Sequence, residues 1–202
     1  LIFRRAERVL LCVLLLIGQP LCASGTVRTQ VDPDTGLQSW HWRSGQAALL
    51  FEQRLPDQTR AFFAARGFPP EAADRIGRGC VFKTIVKNGA QADQGIEYHM
   101  DQWRVVRQKD SNAPVLKEVW AREWQERGLP EAARIAFQWA LLPSHQHLEP
   151  GDYNWGMTSF GLPPGTDFDL EVRLRRDGAA ETGMIRGMRC PEDIERDPTQ
   201  RG

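Results

Sequence analysis

From Phe168 to Arg175 the chain reads Phe-Asp-Leu-Glu-Val-Arg-Leu-Arg, apolar and charged residues alternating without exception. Successive side chains of a strand point to opposite faces, so this spacing predicts a strand with one buried and one solvated face. A helix through the same residues would scatter the four apolar side chains around its circumference. Asp177-Gly178 follows as a two-residue turn, and Thr182–Cys190 is the return strand of the predicted hairpin. A chain containing this unit needs a second apolar layer to cover its buried face.

Other segments supply it. Leu37–Arg43 and Ala47–Arg54 flank Ser44-Gly45-Gln46 as a second hairpin, with Leu49 and Phe51 on one face. Cys80, Phe82, Thr84 and Val86 point one way as in a strand while Lys83 and Lys87 alternate away, and Gly95–Met100 and Trp103–Gln108 read as extended. Helical spacing interrupts this pattern. Pro56-Asp57 opens a helix that stops at Gly67, and Pro70–Ile76 forms a second. Leu116, Trp120 and Trp124 lie four apart in a third helix, with Gly128 beyond its end. Arg134–Leu142 reads as a helical turn passing into a strand, because Ile135, Phe137, Trp139 and Leu141 alternate. The polar stretch 24–36 is expected to join the fold late, and the charged tail from Pro191 to fray. The expected class is α+β, mainly β: a β-sandwich or partly closed barrel with short helical insertions and Pro/Gly turns such as Leu162–Gly165.

Residues 1–23 predict the address. Arg4, Arg5 and Arg8 precede the apolar run Val9–Ile17, Gly18 and Pro20 break it, and Ala23 offers a cleavage point, the layout of a cleaved secretory signal peptide. The run is shorter than the roughly 20 residues of a spanning helix, so no membrane insertion is expected after cleavage. Leu21 before Cys22 disfavours a lipoprotein site, and Ala6-Glu7-Arg8 does not complete a twin-arginine pattern. Residues 24–202 are then a single exported globular domain, and the preference for Arg over Lys, 22 to 4, suggests a GC-rich bacterial source and the periplasm. Without the signal, 23 basic residues face 25 acidic ones, which gives no electrostatic case for a nucleic-acid partner.

In an oxidising compartment Cys80 and Cys190 are the only remaining cysteines, since Cys12 and Cys22 leave with the signal. A disulfide between them is expected. No Cys-x-x-Cys spacing points to redox or metal chemistry.

Two sets of residues suggest a function. Trp40 and Trp42 share one face of a strand, and Tyr153 and Trp155 lie in a Gly-flanked segment; flat amphipathic rings of this kind suit a protein or glycan partner. His145 and His147 share a face, Met157 follows, and His99-Met100 stands elsewhere; imidazole with thioether is a ligand set that favours copper. The first set predicts a non-catalytic periplasmic binding or accessory protein without a cofactor. The second predicts a copper-binding protein as the alternative. Catalytic signatures are thin: Ser159 misses the Gly-x-Ser-x-Gly elbow by one position, and Asp167/Asp169 and Glu149/Asp152 read as solvated carboxylates. Glu149–Gly165, rich in turn formers and aromatics, is the most distinctive segment.

Overall fold

The structure, a computed structural model, describes residues 25–193. The segment read as a signal peptide, 1–23, lies outside the described residues. Five strands form one antiparallel sheet: β1 (Thr26–Val31), β2 (Gln38–Ser44), β3 (Ala47–Gln53), β4 (Val81–Asn88) and β9 (Tyr153–Ser159), side by side in that order. The second sheet is built on the long strand β10 (Asp167–Arg176). Its hairpin partner β11 (Ala179–Arg189) lies along one side, and β5 (Ile96–His99) and β6 (Arg104–Arg107) share the other. β7 (Asp110–Asn112) and β8 (His145–Leu148) extend the sheet beyond β6 and β5. The sheets are not closed into a barrel.

The hairpin predicted from 168–190 is present. Asp177 and Gly178 both have positive φ, 47° and 74°, the backbone that a two-residue turn matched to strand twist requires. Phe168, Leu170, Val172 and Leu174 are buried together with Trp40, Trp42, Leu49, Phe51 and Val86 of the first sheet, so both sheets contribute to one apolar cluster.

Four helices fall between strands: α1 (Pro56–Ala64) and α2 (Pro70–Gly77) precede β4, and α3 (Lys117–Glu126) and α4 (Glu131–Ala140) follow β7. Proline starts α1 and α2, where its missing N–H costs no helical bond. Gly67 and Gly128, at φ 82° and 66°, terminate the chain turns after α1 and α3 as expected. The helices bury Phe63, Ile76, Trp120, Trp124 and Phe137 in a second cluster, and this cluster includes Val81 of β4 and Met157 of β9. It therefore covers one end of the first sheet's outer face.

One expectation is corrected, and one stretch given no element from the sequence contains a strand. Residues 134–140 are helical throughout. At a helical period Ala133 and Phe137 fall inward, whereas Ile135 and Trp139, also four apart, share the opposite side and are 51% and 85% exposed. The alternation Ile-Phe-Trp-Leu was too short to distinguish the two periods. The polar stretch after Gly25 contains β1, paired over six residues with β2 before the Asp32–Gly36 turn. Its polar composition reflects a strand exposed on both sides.

Candidate functional site: the open face of the first sheet

The register of the first sheet defines its two faces. Trp42, Leu49 and Val86 lie directly across from one another and face the shared core, as do Trp40, Phe51 and Thr84. One residue further along each strand, the side chains point the other way. Arg28, His41, Leu50, Ile85 and Trp155 form a continuous cross-strand row from β1 to β9. Beside it runs Thr26, Arg43, Ala48, Lys87 and Tyr153. The next row on the other side ends at Met157, already beneath the helices and 8% exposed.

The outer face is thus covered at one end and open at the other. Tyr153 and Trp155 are 64% and 61% exposed on the open part. Leu50, Ile85 and Ala48 are half-buried between them and the basic residues of β1 and β2. Lys83 is paired with Glu52, Nζ to Oε2 at 2.7 Å. Among the described residues Arg28, Arg43 and Lys87 have no such acidic partner. A depression of about 500 Å³ lies at the β1–β2 end, lined by Thr26, Arg28, Gln30, His41 and Arg43.

The structure separates the two aromatic pairs named from the sequence. Trp40 and Trp42 are each 1% exposed, and Trp40 packs against Phe82 with ring centroids 5.9 Å apart. They are core residues and not part of a partner surface. Alternation put both rings on one face, but which face had to come from their neighbours across the hairpin, the inward Leu49 and Phe51. Trp139, which alternates with Phe137 and Leu141 as in a strand, is instead exposed on α4. Arg28, Arg43 and Lys87 were not singled out, since cations at alternate positions gain meaning only once strand order places them on one face.

His145 and His99 sit opposite each other in the β5–β8 ladder, their rings stacked at 5.2 Å. His147 lies across from Glu97. His99 Nε2 is 3.0 Å from Glu97 Oε1, and this bond is the main reason the Glu97 carboxyl is held below its ordinary range. His147 Nε2 approaches Glu149 Oε1 at 3.2 Å. The two methionines of the copper reading lie apart from each other in the core: Met100 in the cluster shared by the sheets, Met157 in the helical one. Among the described residues no group of three or more His, Cys, Asp or Glu is placed to hold a metal ion.

Ser159 is buried and donates its hydroxyl to the Gly79 carbonyl at 2.8 Å, a structural bond that fixes β9 beside the turn before β4. Asp167 accepts from Arg189, Asp169 accepts from the Gly187 amide, and Asp152 accepts from the Glu149 amide. Cys80 and Cys190 are at disulfide distance, with their sulfurs 2.01 Å and their Cα atoms 5.1 Å apart. Their sulfurs link the start of β4 to the end of β11, so this pair connects the two sheets.

Comparison with protein-family models, with characterised proteins and with solved structures finds no match.

Proposed function

We propose that this chain is an exported, non-catalytic binding or accessory protein that engages a protein or glycan partner in the periplasm through the open face of its first sheet. The observation that carries the reading is the placement of Tyr153 and Trp155. Two large amphipathic rings stand on one face of a hydrogen-bonded strand, more than half exposed, beside cations that lack acidic partners among the described residues. Burying such rings against a partner gains apolar contact at little conformational cost, because the strand already orders them. Export and location rest on the pattern of residues 1–23. The test compares the protein with a Tyr153→Ala/Trp155→Ala variant in quantitative retention of periplasmic proteins and in binding to a glycan panel. A specific ligand lost in the variant at unchanged thermal stability supports the reading, and identical profiles refute it.

A second reading, copper binding, is favoured by the stacked His99–His145 pair. The donors brought together are two imidazoles rather than the imidazole–thioether set of His145, His147 and Met157. Loading with Cu(I), Cu(II) and Zn(II) beside a His99→Ala/His145→Ala variant tests it: stoichiometric copper lost in the variant supports a site at this pair, and no retained metal removes it.

A further inference from the structure

The two edges of the first sheet are treated differently. Along the Met157–Ser159 end of β9 the chain covers its own edge: the Leu142 amide donates to the Met157 carbonyl at 3.0 Å, and the Val115 amide to the Ser159 carbonyl at 2.9 Å. Along β1 no strand of the described residues lies on the far side. All six residues of β1 are exposed; the strand contains no Pro, Lys, Asp or Glu, and Arg28 is its single charged residue.

The direction of its unpaired groups can be fixed. Asp32 donates its amide to the Leu37 carbonyl at 2.9 Å, one step beyond the Val31–Gln38 pair. In an antiparallel ladder bonded and non-bonded pairs alternate, so Gln30, Arg28 and Thr26 bond inward to β2. Val27, Thr29 and Val31 then turn their amides and carbonyls outward. The Gln38 amide, donating to Gln53 Oε1 at 2.7 Å and so away from β1, agrees with this phase.

The side chains along this edge define what could pair with it. On the outer face Arg28 stands beside His41, with Arg43 in the neighbouring row. On the other face Val27 and Val31 are 40% and 58% exposed. We infer that β1 accepts an extended segment of a partner protein as an added strand, and that this segment alternates acidic residues, facing Arg28 and Arg43, with apolar residues facing Val27 and Val31. Main-chain bonds to Val27, Thr29 and Val31 supply affinity, and the alternating side chains supply selectivity. The inference rests on the binding-protein reading above, whose partner it takes to be a protein, but not on Tyr153 or Trp155.

The probe is an acetylated, amidated peptide of alternating Glu and Val, six residues long to match β1, with a Lys/Val peptide as control. Binding is followed by amide chemical shifts of the ¹⁵N-labelled protein. The Glu/Val peptide should shift the amides of Val27, Thr29 and Val31 and bind at least about tenfold tighter than the Lys/Val peptide, with the difference shrinking in high salt. Thr29→Pro removes an outward amide without touching the β2 ladder and should abolish binding. Arg28→Glu/Arg43→Glu, which leaves the backbone alone, should reverse the preference between peptides. Equal binding of the two peptides, binding unchanged in both variants, or no binding overturns the inference. So does a concentration-dependent dimer dispersed by Thr29→Pro, which would make a second copy of the chain the occupant of this edge. Binding that survives in Tyr153→Ala/Trp155→Ala supports strand addition while removing the aromatic contact, so the two failures are distinguishable.

Discussion

Trp42 occupies the space that a side chain at residue 183 would need. A Cβ built on Gly183 collides with the indole, its nearest atom being Nε1. Trp42 belongs to β2 in the first sheet and Gly183 to β11 in the second, so the missing side chain lets a fully buried ring fit where the sheets meet. Gly183→Ala is expected to destabilise the protein by about 1–3 kcal/mol through overpacking. Chemical denaturation checks this, and an unchanged midpoint would show that the ring can move aside.

The Cys80–Cys190 pair closes a separation of 110 residues. Restricting so long a loop in the unfolded chain is expected to contribute about 2–5 kcal/mol. The oxidised protein should therefore unfold at a clearly higher denaturant concentration than the reduced protein or a Cys80→Ser/Cys190→Ser variant. Two reactive thiols on the native protein, or coincident unfolding curves, would contradict the bridge.

Asp193 anchors the chain just after Cys190 to α1. Arg60 donates to its two carboxylate oxygens at 2.7 and 2.5 Å, and these bonds hold the Asp193 carboxyl below its ordinary value of 3.8. The same contact raises the Arg60 guanidinium. A carboxyl with a depressed pKa in the folded state adds stability above its unfolded pKa, and that stability disappears as pH falls through the depressed value. Asp193→Asn should cost about 1 kcal/mol at neutral pH, with the difference from the unmodified protein closing as pH drops below 3.8. Thermal unfolding across pH 2 to 7 is the measurement, its window set by carboxylate titration. A difference independent of pH would assign the loss to something other than the ion pair.

Tyr98 is fully buried opposite Leu174, and its hydroxyl has no hydrogen-bond partner among the described residues. Burial pushes the phenol pKa upward, so its ionisation disfavours the fold as pH rises above the ordinary 10.0. Tyr98→Phe keeps the ring and removes the unsatisfied group, and is expected to leave stability unchanged or raise it by up to about 1 kcal/mol. Urea denaturation of the two proteins decides the sign, and a loss of more than that amount would mean that the hydroxyl has a partner.

Local chemistry made much of this architecture legible. Alternation with an Asp-Gly turn identified β10 and β11, spacing of four identified α3, and Pro56 with Gly67 placed α1, as Pro70 did the start of α2. Misreadings arose where a local pattern had two solutions. Ile135–Leu141 fits either period over so short a stretch, and Trp40/Trp42 fit either face until Leu49 and Phe51 are placed across the ladder. The candidate site was half visible for the same reason. Tyr153 and Trp155 stand out by residue type, whereas Arg28, Arg43 and Lys87 meet on their face only through the non-local order β1-β2-β3-β4-β9.

That order also separates the sequence of synthesis from the sequence of assembly. β4 precedes its outer neighbour β9, which begins only at Tyr153, by the second helical pair and all four short strands of the second sheet. Cys80 likewise waits 110 residues for its partner. A growing chain can form the first four strands as successive neighbours, but one side of β4 stays unpaired until Tyr153–Ser159 has been made. A premature stop anywhere before β9 would leave a product with a sticky interior edge, a natural target for chaperones and proteases.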